Sequence, residues 1–389
     1  MTTDAVGGIW TYALDLGVAL GRRGTRVTLA LLGPGLDDAK RAEAAERGLK
    51  LVDTGHDPEW LAADAAAVRA GGAALVGLAR REAADLLHLN HPALAAEAGF
   101  GCPVLAVCHS CVATWWEAVR GGVLPEDLRW RAALHERGLA NAEAVVAPSR
   151  SFGEATRRVY GFGDVPIVVP NGRDRPPALE AAEAPAASVF TAGRLWDEGK
   201  NLGVLDRAAA RLPVMVEAAG PLTGPNGATV ALHNIRRIGT LDAATLRAKL
   251  RQRPIFASTA LYEPFGLAVL EAAQAGCALV LSDIPTFREL WDGCAVFVAP
   301  HDDRALAAAV VRLLGDRGYR AERAALSAAR AADYTVEACA EGTGKAYAAA
   351  STAPTSAAPA SAARRANAAG AMAARAGPPR GEPRPRAAL

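Results

Sequence analysis

The sequence predicts an α/β protein of two Rossmann-like domains, each with a parallel sheet, and two observations support this. Short apolar runs alternate with helical stretches through most of the 389 residues. Continuous apolar strands separated by helices are typical of parallel sheets that are covered on both faces. The pattern breaks once, in the Pro- and Ala-rich stretch 173–187, which we interpret as an interdomain linker. Ligands of open α/β sheets bind at the carboxyl ends of the strands, so we expect a site in the cleft between the domains.

The predicted strands form two groups of six, one on each side of the linker. The first group is 27–32, 49–52, 86–89, 104–107, 144–147 and 167–169, and the second is 189–192, 214–218, 235–238, 255–257, 278–281 and 295–298. The domain boundaries that follow are an N-terminal domain at 1–172, a linker at 173–187, a C-terminal domain at 188–350 and a tail at 351–389.

The beginning of the chain is short for this fold. Gly7 and Gly8 open the first predicted helix, residues 9–20, and a Rossmann-like domain needs a strand before that loop. Strands usually have about five residues, so we expect this one to be truncated. It is either a stub or part of a chain that starts upstream, and we favour an upstream start codon. Intact-mass measurement of the native protein tests this hypothesis, since an N-terminus at Met1 or Thr2 would contradict it.

Composition and charge exclude several classes of protein. Hydrophobic residues make up 51% of the chain and aromatic residues 5%, and no apolar run has the length of a membrane span. No basic segment leads into an apolar one at the N-terminus, so we expect a cytoplasmic enzyme. The tail has six Arg and one Glu, a charge of +5, which leaves −3 of the total +2 for the rest of the chain. Nucleic-acid binding is therefore not expected, and the tail, poor in large apolar residues, is predicted to be disordered.

The cysteines give one short motif, the C-x-x-C of Cys108 and Cys111. Because no second pair lies at the spacing of a zinc site, we interpret the six cysteines as reduced thiols rather than a metal or redox centre. The sequence therefore predicts no metal ligands.

The strongest functional signal is the segment 262–271, YEPFGLAVLE. A strand leads into it, Pro264 suits the first turn of a helix, and Gly276 is a plausible end of that helix. The free N–H groups at the helix start are expected to bind an anion or hydroxyl groups. The alternative interpretation is structural: Glu263 interacts with the helix dipole and Glu271 is merely solvated.

This segment resembles the signature of the retaining GT-B glycosyltransferases of family four, and the similarity extends over about residues 4–350. The resemblance lies in Glu263 and Glu271, which have seven residues between them, among them Pro-Phe-Gly-Leu. It implies that Glu263 contacts the hydroxyls of the donor sugar and that Glu271 binds the ribose of the nucleotide. It also implies that main-chain groups of three residues hold the donor sugar and phosphate: Phe265, Gly266 and Leu267.

A second motif, AGRLWDEGKN at 192–201, follows a predicted strand. Arg194 offers a planar fork of donors and Lys200 a mobile point charge, so both suit a diphosphate, although a solvated loop would look similar. The resemblance implies that these two residues stabilise the diphosphate leaving group.

Two weaker signals come from the N-terminal half. The small residues Gly7 and Gly8 let a backbone approach a phosphate, and the resemblance implies contact with donor and acceptor. His109 follows a predicted strand, and the resemblance implies contact with the donor sugar near the reacting centre. His88 and His91 are weaker candidates.

For the remaining residues that we single out, the sequence favours a structural role. Trp115, Trp116 and Trp130 favour helix packing over stacking on an acceptor sugar, and Ser149 is expected to cap the helix at 151–160.

The resemblance implies transfer of a hexosyl unit from a nucleoside diphosphate sugar to an acceptor hydroxyl with retention. Because neither domain has an Asp-x-Asp metal motif, Arg194 and Lys200 are expected to act in place of a metal. Glu263 is expected to orient the sugar rather than form a covalent intermediate. No cofactor is expected beyond the donor, which is UDP- or GDP-linked, as in UDP-glucose or GDP-mannose. The acceptor is open, as a saccharide, a lipid-linked group or a small molecule, and peripheral membrane contact is not indicated.

Three alternatives remain at this stage. A sugar-nucleotide epimerase of GT-B fold would convert its substrate without an acceptor. A phosphorylase would need a pyridoxal cofactor, and we find no motif for its lysine. An inactive nucleotide-sugar-binding paralogue is favoured by the short N-terminus, but the complete set Arg194, Lys200, Glu263 and Glu271 argues against it.

Overall fold

The computed structural model describes residues 1–33, 35–36, 38–97, 99–174 and 184–353. Within them the strands are β1 Thr2–Asp4, β2 Thr28–Leu32, β3 Lys50–Asp53, β4 Leu87–Leu89, β5 Val104–Val107, β6 Ala144–Ala147, β7 Ile167–Val168, β8 Val189–Ala192, β9 Val216–Ala219, β10 Arg236–Arg237, β11 Ile255–Ser258, β12 Leu279–Ser282 and β13 Val296–Val298. The α-helices are α1 Gly8–Arg22, α2 Asp38–Glu46, α3 Ala65–Arg81, α4 Val112–Val119, α5 Glu126–Asn141, α6 Arg150–Tyr160, α7 Leu202–Ala209, α8 Ala243–Arg251, α9 Leu267–Gln274, α10 Pro285–Trp291, α11 Asp303–Gly315, α12 Arg317–Ala331 and α13 Val336–Thr352.

The strands form parallel sheets in both halves of the chain. In the first half the strand orders are β1-β2-β3 and β4-β5-β6-β7, and in the second half β10-β9-β8-β11-β12-β13. Every ladder between these strands is parallel. The predicted α/β fold is confirmed, and each of the twelve predicted strands has a counterpart whose ends differ by two residues at most.

The strand that the sequence predicted to be truncated is present as a strand of three residues. Thr2, Thr3 and Asp4 pair with β2 and are all buried. On its other side, β1 is tied to the end of β4 by a side chain. Asn90 donates from its backbone N to Thr2 Oγ1 at 2.8 Å and from Nδ2 to the Thr2 carbonyl at 2.7 Å. We call this junction between β1 and β4 the seam. The upstream start remains a prediction.

Helices cover both faces of the six-stranded sheet, as its apolar strands require. One core contains residues of β8, β9, α7 and α11, and the other contains residues of β11, α9 and α10. Phe190 and Phe256 are fully buried and meet edge to face, with ring centroids 6.1 Å apart. Because both faces are filled, polar groups are available mainly where the strands end.

The chain crosses between the two halves twice, and the crossings touch. The first is at Gly172 and Arg173. The second is at Thr335, after which α13 returns to pack on α1, β5 and β6 of the first half. Arg173 N donates to the Tyr334 carbonyl at 3.1 Å, and a Cβ added to Gly172 would lie 1.9 Å from the Thr335 carbonyl oxygen. Only glycine therefore fits at residue 172.

Two predicted segments fall largely outside the described residues. They are the middle of the linker, 175–183, and the tail from residue 354 onwards. The domain boundaries remain predictions.

Candidate functional site

The glycine loop faces the second half of the chain across the cleft. Gly7 precedes α1 with φ 84°, a left-handed conformation that favours glycine. A Cβ added to Gly7 would lie 3.4 Å from Arg194 Nη1, and one added to Gly8 would lie 3.1 Å from Leu267 Cδ1. The structure therefore brings together four residues that the sequence singled out in three separate segments.

Arg194 and Lys200 lie in the loop that follows β8, and each has an acidic partner. Arg194 Nη2 donates to Asp197 Oδ2 at 3.1 Å. Lys200 Nζ donates to Glu263 Oε2 at 2.5 Å, which joins two predicted residues in one ion pair. Arg194 Nε is buried without a hydrogen-bond partner among the described residues. The side chain as a whole is 36% exposed, so the outer nitrogens of the guanidinium are the donors that an anion in the cleft can reach.

Asp197, which the sequence did not single out, organises this loop. Its carboxylate accepts hydrogen bonds from Gly199 N at 2.9 Å and from Trp115 Nε1 at 3.1 Å, in addition to Arg194. Burial raises the pKa of Asp197, but the charges of Arg194 and Lys200 outweigh it and lower the pKa below its ordinary value. The ionised carboxylate thus fixes the arginine, and Trp115 carries the contact across to α4.

The segment after β11 forms the other wall. Gly266 precedes α9 with φ 96°, and a Cβ there would come within 3.3 Å of Glu263 Cγ and of Phe287 Cε1. Phe265 is buried and packs edge to face on Tyr334 at 5.6 Å, so only its main chain is available to a ligand. The first amides of a helix have no intrahelical partner, so they are free to bind an anion, and the anion site at the start of α9 stays a prediction.

One prediction about this segment is wrong. Pro264 does not lie in the first helical turn, because α9 begins at Leu267 and the left-handed Gly266 separates the two. Pro264 instead presents its carbonyl to Ser149 Oγ, which donates at 2.7 Å from the first half of the chain. The end of the helix agrees with the prediction, since Gly276 follows α9 with φ 77°.

Glu271 has a partner that the sequence did not indicate. Arg173, at the first crossing, contacts Glu271 Oε1 through Nη2 at 2.8 Å, and its Nη1 pairs with Asp15 of α1. Burial raises the pKa of Glu271 above its ordinary value, although Arg173 acts in the opposite direction. The carboxylate predicted to bind ribose therefore also takes part in a bridge between the two halves.

His109 is held by Asn90, the residue that also forms the seam. Asn90 Nδ2 donates to Thr2, so its Oδ1 is the acceptor for His109 Nε2 at 2.9 Å and for His88 Nε2 at 3.0 Å. Nε2 of His109 then carries the proton and Nδ1 is left as an acceptor. Burial, with the nearby charge of His91, lowers the pKa of His109 to about 3. A neutral imidazole can accept a hydrogen bond from a sugar hydroxyl.

The other predicted candidates hold the structure together. His88 Nδ1 lies 2.8 Å from the Tyr347 hydroxyl of α13, and His91 Nε2 lies 2.9 Å from Asp4 Oδ2. Trp130 packs against the core of the first half, as the sequence favoured. Ser149 caps α6 as predicted, accepting from Phe152 N at 3.2 Å.

The predicted site residues thus lie in two groups, and the members of each group contact one another. The residues that position them were not identified from the sequence. Arg194 and Leu267 face the glycine loop, and Lys200 is paired with Glu263. The missed residues are Asn90, Asp197 and Arg173. Two of them could have been found from the sequence, because Asn90 directly follows a strand and Asp197 lies inside the loop motif at 192–201.

Two parallel-sheet domains that face one cleft, lined by basic side chains and a glycine loop, are the arrangement expected of a GT-B enzyme that uses nucleotide-sugar donors. The profile of Glycosyltransferase Family 4 matches residues 6–175, and that of Glycosyl transferases group 1 matches residues 186–316. The chain belongs to glycosyltransferase family four.

Known proteins similar to this chain include two mycobacterial enzymes and a solved structure from Anabaena. A glycogen synthase of Mycobacterium tuberculosis is 27% identical and the alignment covers 89% of this chain and 92% of that one. A phosphatidyl-myo-inositol mannosyltransferase of Mycolicibacterium smegmatis is 26% identical, with 85% and 87% covered. The structure of Anabaena HepE in complex with UDP-glucose superimposes with a TM-score of 0.67 at 18% identity, over 89% of this chain and 98% of that one. This structural similarity confirms the fold.

Within the described residues, none of the helices combines the length and the apolar character that crossing a membrane demands.

Proposed function

We propose that this protein transfers a hexosyl group from a nucleoside diphosphate sugar to an acceptor hydroxyl, with retention and without a metal. The Lys200–Glu263 ion pair, next to Arg194 and the glycine loop, carries the proposal. This arrangement combines two cations, Arg194 and Lys200, which suit a diphosphate, with a carboxylate, Glu263, which suits sugar hydroxyls. The position of Gly7 against Arg194 also supports an assembled cleft, which disfavours an inactive paralogue.

Departure of the diphosphate is the difficult step, because negative charge grows on the leaving oxygen. Arg194 and Lys200 stabilise that charge, together with the amides at the start of α9. Asp197 holds Arg194 in place, so the guanidinium needs little reorganisation during the reaction. The acceptor attacks from the face that the diphosphate leaves, and a phosphate oxygen assists its deprotonation.

The donor sugar is held from both sides of the cleft. Glu263 accepts hydrogen bonds from sugar hydroxyls and orients the ring, and His109 Nδ1 accepts another from the N-terminal side. Glu271 binds the ribose through the oxygen that Arg173 does not contact. Hydroxyl donors match these three acceptors, whereas a substrate without hydroxyls would leave them unpaired.

The donor is a UDP- or GDP-linked hexose. HepE was solved with UDP-glucose, and a second similar protein is a mannosyltransferase. Thermal shifts across a panel of UDP- and GDP-sugars distinguish the two bases. We expect one base to raise the melting temperature and the other to leave it unchanged. A panel without any shift would contradict the proposed donor class.

The central test removes the two cations one at a time. Arg194→Ala or Lys200→Ala is expected to lower turnover about ten- to a hundredfold, because one charge-assisted hydrogen bond contributes roughly 1.5–3 kcal/mol. Transfer and donor hydrolysis are measured for both. Arg211→Ala is the matched control, since Arg211 forms an exposed pair with Asp303 in the same half. Activity close to wild type in both variants would overturn the assignment.

A further inference from the structure

A compact cluster of soft ligands lies in the core of the first half. The thiols of Cys108 and Cys111 and a ring nitrogen of His135 all lie within 4.8 Å of one another. All three residues are buried, with 0%, 7% and 1% of their surface exposed. The sequence motif gave only the two cysteines, because His135 comes from α5, 24 residues further along the chain than Cys111.

The one ligand separation that is closely defined fits a tetrahedral metal ion held by three protein ligands. Cys108 Sγ lies 3.3 Å from His135 Nε2. A zinc ion with Zn–S about 2.3 Å and Zn–N about 2.0–2.1 Å separates such a sulfur and nitrogen by about 3.5 Å. Two sulfurs and one imidazole nitrogen are the ligands of soft and borderline cations, whereas Mg²⁺ and Ca²⁺ prefer oxygen.

The far side of His135 faces a carboxylate, the kind of group to which metal-bound histidines usually donate, and its Nδ1 forms no hydrogen bond within the described residues. Its Nδ1 lies 3.5 Å from Glu59 Oε1, while Nε2 points to the cysteine. A carboxylate at this position orients the ring and leaves the other nitrogen free to ligate. The second oxygen of Glu59 is buried without a hydrogen-bond partner among the described residues, and the ring of Tyr160 stacks on His135 at 5.8 Å.

We propose that Cys108, Cys111 and His135 bind a thiophilic cation of the Zn²⁺ class, and that Glu59 orients His135. Two thiolates neutralise the charge of the ion, which lets it lie in an apolar core. The site is separate from the proposed transfer chemistry, in which Arg194 and Lys200 supply the positive charge.

A metal ion at this site would fix the position of part of the cleft. In the sequence His109 lies between Cys108 and Cys111, and Cys111 N donates to the Tyr262 hydroxyl at 3.2 Å. Tyr262 directly precedes Glu263. The ion would therefore hold β5, α4 and α5 together where the first half meets the sugar-binding segment of the second, and we assign it a structural role.

The test measures metal content of the full chain, produced with Zn²⁺ in the medium and dialysed against a weak chelator. We expect about one zinc per chain in the wild type. Cys111→Ser and His135→Gln should fall well below one, and Glu59→Gln should bind zinc roughly ten- to a hundredfold more weakly. Cobalt-grown protein should show thiolate-to-metal charge-transfer absorption that Cys111→Ser lacks.

Two cysteine variants serve as controls. Cys294→Ser changes a thiol that is buried, as those of the cluster are, and Cys102→Ser changes a half-buried one, so both should keep the metal. Because a cluster variant could fail to fold, the wild type is also treated with a strong chelator. Removing zinc should lower the melting temperature and make two more thiols titratable. Wild type without zinc, a metal content equal in all variants, or a Cys108–Cys111 disulfide seen as a mass loss of about 2 Da would overturn the proposal.

Discussion

Single side chains in this cleft depend on partners, some of which are themselves proposed to contact the donor. Lys200 and Glu263 form one ion pair, and Arg194 is fixed by Asp197. Removing one member therefore leaves the other without its ion-pair partner. Asn90 is the clearest case, because its amide binds β1 on one side and His109 and His88 on the other.

Asn90→Ala is expected to lower kcat about tenfold and to raise the donor KM, because His109 loses the acceptor that fixes its proton on Nε2 and its Nδ1 then accepts less well from the sugar. Steady-state kinetics with varied donor separate the two parameters. Asn141→Ala is the control, since Asn141 Nδ2 also donates to main-chain carbonyls, of Ala95 and Ala96, but does not contact a candidate site residue. An equal loss of kcat in both variants would contradict a positioning role for Asn90.

Among the elements, β1 depends most on side chains. It has only three residues and pairs with one neighbouring strand, and the buried His91–Asp4 contact fastens its end to the segment after β4. Burial lowers the pKa of His91, but the hydrogen bond and charge of Asp4 outweigh it and raise the pKa above 6.5. Protonated His91 thus stabilises the folded state.

The contribution of His91 to the free energy of unfolding depends on pH. Since the folded pKa of His91 is raised, its contribution is complete below pH 6.5 and is lost as the pH rises through the folded pKa. His91→Gln should therefore cost more free energy of unfolding at about pH 6 than at about pH 9. Urea titrations at both values measure this, with the exposed His233→Gln as control. A cost that is the same at both pH values would exclude the ion pair as its source.

The strands and the end of α9 could be predicted from local patterns, since apolar runs and a glycine at the end of a helix can be recognised in the sequence itself. The start of α9 could not, because Pro264 suits a first turn and only Gly266 in its left-handed conformation delays the helix. The partners of the site residues were also beyond the sequence. His135 and Arg173 meet Cys108 and Glu271 across 27 and 98 residues of chain, and no periodicity encodes such contacts.

At the scale of the whole molecule, Arg173 links the two halves through Asp15 and Glu271. Arg173→Met should lower the free energy of unfolding by about 1–3 kcal/mol, less than for a fully buried pair because the two side chains in contact are 16% and 19% exposed. It should also raise the donor KM about tenfold, since an unpaired Glu271 binds a proton more readily and then accepts ribose hydroxyls less well.

Denaturant unfolding and donor kinetics test this variant together. Arg22→Met is the control, because Arg22 forms an exposed pair with Glu337, which also joins α1 to a later helix. We expect the control to stay within about 0.5 kcal/mol of wild type. A tighter donor KM in Arg173→Met would mean that Arg173 competes with the nucleotide for Glu271, contrary to our expectation.

The contact between the two crossings constrains how the halves can move. Gly172 and Thr335 lie too close to admit a side chain, and the adjacent Arg173 amide binds the Tyr334 carbonyl. Because the two chain segments are hydrogen-bonded side by side, we expect them to act as one hinge region rather than as two independent linkers. Any relative movement of the halves is then expected to pivot near Gly172 and Thr335. Spectroscopic labels close to the crossings should report little change in distance when the donor binds, and labels at the far rim of the cleft a larger one.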